Sequence, residues 1–154
     1  MREGNKDMDN HATGRTASGE RRPYTDVLAR LRAAGLRPTR QRLALSRVLF
    51  AEGDRHITAE QLHAEALAQD CRVSLATVYN TLHLFTEAGL LRELTVETGR
   101  SYFDTNTADH HHFFFTESGR VTDIPADQLQ VHGIPETTAG LPVQGVDVIV
   151  RVKG

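Results

Sequence analysis

The sequence predicts an α+β fold, with helices in the first part of the chain and strands after them. Three observations carry this. Between Tyr24 and Phe85 apolar residues recur at helical spacing, interrupted by Gly and Pro. From Leu91 onward the pattern changes to the alternation of strands. The charge is also unevenly spread: the net charge is −2, yet residues 21–47 hold eight arginines and one acid, Asp26.

At 154 residues and 39% hydrophobic content, the chain has room for one domain or two small ones. No apolar run is long enough for a transmembrane helix, so no membrane partner is expected. The N-terminus lacks the apolar segment of a secretory signal. The single cysteine, Cys71, excludes an intramolecular disulfide and fits a reducing cytoplasm.

Residues 1–20 are rich in Gly, Asn, Asp, Thr and Ser, and are expected to form a disordered arm. Tyr24–Ala34 reads as a short helix ended by Gly35. Pro38 breaks the chain, and Thr39 caps a second helix from Arg40 to about Ala51, with Leu43, Val48 and Phe50 among its apolar residues. Thr58-x-x-Gln61 is a capping-box pattern that starts a third helix, with Leu62, Ala66 and Leu67 expected to face inward. Ser74 caps a fourth. There Leu75, Val78, Leu82 and Phe85 form one stripe, and Ala76, Thr77, Asn80 and Thr81 lie off it; Gly89 ends the helix. The off-stripe residues are small or hydrogen-bonding, suited to a DNA groove, so this is the expected recognition helix of a helix-turn-helix.

Leu91–Glu97 and Ser101–Thr105 flank Thr98-Gly99-Arg100, a hairpin with turn chemistry. A hairpin directly after a recognition helix is a wing. Residues 21–105 are therefore expected to be a winged-helix DNA-binding domain. The clustered arginines suit bidentate contact with phosphate or guanine. Residues 1–95 hold fourteen basic and twelve acidic side chains, against four and eight in residues 96–154.

Residues 106–154 are expected to form a small α/β dimerisation and sensing domain. Its strands are 110–115, 120–124 and Val146–Val152, with a helical turn over 126–131. Alone this unit is small for independent stability, and Phe113–Phe115 offer apolar surface. A homodimer would bury that surface and suit a pseudo-palindromic DNA site.

His110-His111-His112 is the most chemically pointed stretch. Along a strand, His110 and His112 face one way and His111 the other. Asp104, Asp109 and Asp123 flank them. Imidazole with carboxylate suits Fe(II), Mn(II), Zn(II) or Co(II), and no thiolate is near. The triplet His110, His111 and His112 is also a candidate for haem, since histidine is a common axial ligand.

Three segments together resemble the ferric uptake regulator family of metal-dependent repressors: Ser74-Leu-Ala-Thr-Val-Tyr-Asn-Thr-Leu82, Glu87-Ala-Gly-Leu90, and Phe103-Asp104 followed by Asp109-His-x-His112. Within the family, the histidine triplet, Tyr102–Asn106, Asp123-Ile-Pro125 and Val146–Arg151 are most similar to the iron response regulator branch. The resemblance implies a regulatory metal site at His56, Asp104, His110, His112 and Asp123, with haem as a further effector. It implies DNA reading by Tyr79 and Asn80, with Ser74, Thr77, Arg37 and Arg40 toward phosphates. Where many relatives keep a Cys-x-x-Cys pair this chain has Phe115 and Ser118, so no structural zinc is expected. Val146 stands where relatives often have another histidine, and Cys71 is followed by Arg72 rather than proline.

The function expected is a sequence-specific transcriptional regulator of iron and haem homeostasis, not an enzyme. The alternative within the family is a peroxide- or manganese-responsive repressor. The remote alternative is a small metallohydrolase built on His110 and His112, for which no substrate pocket or general base is evident.

Overall fold

The computed structural model describes residues 23–154; the arm expected at 1–20 lies outside them. The helices are α1 (Pro23–Ala33), α2 (Arg40–Leu49), α3 (Ala59–Ala68) and α4 (Leu75–Glu87), with one short strand between α2 and α3. The strands are β1 (His56–Ile57), β2 (Arg92–Glu97), β3 (Arg100–Asp104), β4 (His110–Phe115), β5 (Val121–Pro125) and β6 (Ile149–Val152).

The caps follow the sequence. Thr39 accepts from the Arg42 N–H, Thr58 and Gln61 make a reciprocal capping box, and Ser74 accepts from the Thr77 N–H. Gly35 and Gly89 have positive φ, and the residues after them donate to Leu31 and Phe85 carbonyls. Such closures satisfy carbonyls that a helix end leaves open.

Val78, Leu82 and Phe85 of α4 are buried against Leu31, Leu45, Leu49, Ile57, Leu62 and Phe103. Two expectations fail here. Leu67 is 48% exposed, because the buried stripe of α3 runs through Ala59, Leu62 and Ala66 and Leu67 falls beside it. Thr81, expected off the buried stripe, is buried and its hydroxyl donates to the Thr77 carbonyl, although it still lines the surface recess that holds Thr77 and Asn80.

The wing sheet has the order β1-β3-β2. β1 has only two residues, too few for a periodicity, and was not anticipated. It pairs His56 with Asp104 and Ile57 with Phe103. The second sheet has the order β5-β4-β6, with β5 antiparallel and β6 parallel to β4. The last strand starts at Ile149, later than expected. Asp147 just before it is held by Arg92. The helical turn expected over 126–131 is a turn at 126–128, closed by the Gln128 N–H on the Pro125 carbonyl.

The two sheets share a second core. Leu94, Val96 and Tyr102 of the wing pack with Phe114, Val121 and Ile149. The Tyr102 hydroxyl donates to the Gly119 carbonyl, and Arg151 donates to the Val96 carbonyl. This core spans residue 105, where the sequence suggested a domain boundary. At the positions of the family's cysteine pair, Phe115 packs under the Arg120 guanidinium, 4.2 Å from ring centroid to carbon, and the Ser118 N–H donates to the terminal Gly154 carbonyl.

Candidate metal centre and DNA-facing helix

Backbone pairing assembles the site. The β1–β3 register sets His56 beside Asp104, and the β4–β5 register sets His112 beside Asp123. The alternation of β4 buries His110 and His112 on one face and leaves His111 on the other. His56, Asp104, His110, His112 and Asp123 each offer one ligand atom, and these five atoms lie within 4.8 Å of one another.

Three imidazole Nε2 atoms converge on one oxygen, Asp104 Oδ2: His56 at 3.1 Å, His110 at 2.8 Å and His112 at 3.0 Å. Asp123 Oδ1 is 2.9 Å from His56 Nε2 and 3.4 Å from His110 Nε2. The Asp104 side chain is 1% exposed and that of Asp123 is 31% exposed, so the cluster has one wet edge.

The donor geometry fits a cation. His56 Nε2 and Asp123 Oδ1 are close and buried, yet neither has an aligned hydrogen-bond partner. They aim at common space rather than at each other. His110 Nδ1 lies 2.6 Å from the Ala108 carbonyl, which can only accept. In the neutral imidazole Nε2 then carries a lone pair, and it faces a carboxylate oxygen. That arrangement needs a proton or a cation between them. Anchoring of the far ring nitrogen on a carbonyl is the usual support of a metal-binding histidine.

The electrostatics agree. Burial alone would raise the Asp104 pKa, but the His112 and His56 imidazoles set against it, the charge of His56 and the Asn106 N–H hold it far below the ordinary carboxylate range. Burial likewise disfavours charge on His56, but Asp104 and Asp123 raise its pKa above the usual value.

The sequence reading missed one residue here. Asn106 gives its backbone N–H to Asp104 Oδ1 at 2.9 Å and its side-chain amide to Asp123 Oδ2 at 3.2 Å. Each carboxylate thus has one oxygen held by Asn106 and the other turned to the imidazoles. The Asp104-x-Asn106 spacing was the available signal, since a carboxylate commonly accepts from the N–H two residues on. Asn106→Ala should weaken Mn(II) binding about 10- to 100-fold in a calorimetric titration.

His111 lies apart. Its Nδ1 accepts from the Val148 N–H, and its ring lines an open recess of about 640 Å³ with Arg92, Asp109, Val131, Ile134 and Val146. Asp109 belongs to this recess and not to the five-donor cluster. The three histidines expected to serve haem do not form one group: the His110 and His112 Nε2 atoms face Asp104, while His111, with His110 beside it, lines the recess.

On the helix expected to read DNA, Tyr79 and Asn80 of α4 are exposed. Thr77 and Asn80 line a shallow recess with Thr39, Gln41 and Arg42 at the start of α2. Arg40 is exposed at that helix start, and Arg37 is exposed in the preceding joint, with its carbonyl held by Arg42. Ser74 is used locally: its hydroxyl donates to Thr77 Oγ1 while it caps α4. His63 faces the Val73 carbonyl, away from the metal-type cluster.

Helices, wing and an imidazole–carboxylate cluster between two halves define a class, the metal-responsive helix-turn-helix regulator. Residues 33–141 match the model of the ferric uptake regulator family, and the chain belongs to that family. It is a transcriptional regulator of that family. It is 39% identical over 105 residues to the peroxide-responsive repressor PerR of Staphylococcus aureus, covering 68% of this chain and 70% of the relative. Its fold is similar to the ferric uptake regulator of Vibrio cholerae (TM-score 0.65, 25% identity, 82% of this chain and 98% of that one). It is also similar to the ferric uptake regulator of Pseudomonas aeruginosa with manganese (TM-score 0.65, 23% identity, 83% and 97%). These relatives are regulators and not hydrolases, and the metallohydrolase alternative is set aside on that ground. No helix among the described residues is long and apolar enough to cross a membrane.

Proposed function

We propose that this chain is a sequence-specific DNA-binding repressor of iron and haem homeostasis genes. In this reading it works as a cytoplasmic homodimer on a pseudo-palindromic operator. Its switch is a divalent cation, Fe(II), Mn(II) or Zn(II), at His56, Asp104, His110, His112 and Asp123. The observation that supports this most is the origin of the five donors: two come from the helix-bearing half and three from the second sheet.

A bound divalent cation supplies the two positive charges that offset the Asp104 and Asp123 carboxylates. The side chains do the rest. His56 and Asp104 converge with His110, His112 and Asp123 only when the two halves are together, so binding at all five favours that arrangement. β1 leads directly into Thr58, the cap of α3, and α3 packs on the reading helix α4. Tyr79 and Asn80 then meet base edges, and Arg37 and Arg40 meet phosphates. The dimer part of the reading is supported by exposed apolar residues on the second half: Phe113, Val131, Ile134, Leu141, Val143 and Val146.

The test is a mobility-shift assay with Mn(II) and a duplex selected by the wild type from a randomised pool. Asn80→Ala should cost ~1–3 kcal/mol on that duplex. Arg40→Ala should weaken binding to every duplex and lower the salt slope by about 1. Wild-type binding by both variants overturns the reading.

A second reading is a peroxide-responsive repressor. The similarity to PerR and a donor set suited to Fe(II) favour it. With Fe(II) loaded, peroxide should then insert one oxygen atom at an imidazole C–H bond of His110 or His112, its other oxygen leaving as water, and DNA should be released. A haem response would draw on His110, His111 or His112, of which His110 and His111 line the recess; Soret absorbance lost in the triple alanine variant would support it.

A further inference from the structure

Tyr79, on the DNA-facing side of α4, is held at both ends. Its hydroxyl donates to Glu60 Oε1 at 2.6 Å. Its ring is stacked on His83, with centroids 6.3 Å apart and planes 21° apart. His83 in turn meets the buried Phe103 ring edge-on at 5.6 Å and lies 3.7 Å from the Glu93 carboxylate. The hydrogen bond raises the Tyr79 pKa and lowers that of Glu60.

An exposed tyrosine ordinarily samples several rotamers, and fixing one on binding costs entropy. A ring held beforehand avoids part of that cost and meets only the base step that suits it. Glu60 is also a carboxylate beside a surface that must meet phosphates, where negative charge weakens binding to any duplex. A carboxylate there lowers affinity, so a compensating role is called for.

We propose that Glu60 is a positioning residue for Tyr79, fixing the ring against base edges so that discrimination rises while overall affinity falls. The proposal rests on the DNA-reading assignment made above. It also links reading to the metal-type cluster, because Glu60 sits in the first turn of α3, four residues after His56. Phe103, against which His83 packs, is the neighbour of Asp104.

The test uses the full chain with Mn(II), the selected duplex, and single-base-pair variants of it. Glu60→Ala should bind unselected DNA at least as tightly as wild type, while its preference for the selected duplex falls about five- to tenfold. Glu60→Gln keeps an acceptor oxygen and should restore the preference. Both variants should keep the wild-type unfolding midpoint and Mn(II) affinity, since Glu60 is exposed. If Tyr79→Ala lowers the preference and Glu60→Ala does not, or if Glu60→Gln fails alongside Glu60→Ala, this proposal alone is overturned. If Tyr79→Ala leaves the preference unchanged, the DNA-reading assignment falls with it.

Discussion

Asp104→Asn is expected to abolish the metal response while the helical core stands. All three imidazole Nε2 atoms lie within 3.1 Å of Asp104 Oδ2, whereas Asp123 Oδ1 lies 2.9, 3.4 and 3.8 Å from them. The amide keeps the shape and the Asn106 contact at one end, but loses the charge that a divalent cation needs. Removing a group that merely orients a ligand costs 10–100-fold in metal affinity, so losing this central donor should cost at least ~100-fold. Wild type at a Mn(II) concentration 100 times its Kd should gain about 2.7 kcal/mol of stability. At the same Mn(II) concentration the variant, with its Kd raised ~100-fold, should gain only about 0.4 kcal/mol. Denaturant unfolding with and without Mn(II) reads this directly, and Mn(II)-dependent DNA binding should disappear in parallel. Equal stabilisation of both proteins by Mn(II) would place the cation elsewhere.

Much of this site was legible before any coordinates, for identifiable reasons. The alternation of a strand is a local property, so His110 and His112 could be put on one face and His111 on the other. The helix α4 was legible because its stripe, its Ser74 cap and its Gly89 stop all lie within one stretch. His56 was assigned only through the family resemblance. Nothing near it has a period, and β1 exists because it pairs with β3, a long-range contact. Asn106 was missed because an amide carries no charge to flag it, and its role depends on two carboxylates from different strands. Glu60 was passed over as an ordinary first-turn acid of α3, since its contact with Tyr79 spans two helices. Leu67 misled because α3 is apolar on more than its buried side. The shared core was also out of reach, since hydrophobic alternation shows that a strand has a buried face but not which sheet covers it.

That shared core is where the largest loss of stability should fall. On β4 the side chains of His110, His112 and Phe114 follow one another on the inward face, while His111, Phe113 and Phe115 take the other. Phe114 is fully buried among Leu94, Val96, Tyr102 and Val121, so it joins wing to second sheet. Phe114→Ala should cost about 3–5 kcal/mol, the transfer loss plus a cavity that two sheets cannot close. Small domains hold only about 5–15 kcal/mol in total, so the urea midpoint should fall sharply. Mn(II) affinity should fall too, because His112 is two residues along the same strand and the wing carrying Asp104 loses its support. Phe113→Ala is the contrast, lying partly exposed on the outward face. In a dilute monomer it should change stability by less than about 1 kcal/mol. In a dimer closed over that face, its cost should grow and depend on protein concentration. If Phe114→Ala lowered the midpoint no more than Phe113→Ala did at low concentration, the wing and the second sheet would not share a core. The convergence of His56 and Asp104 with His110 and His112 would then lose its mechanical basis.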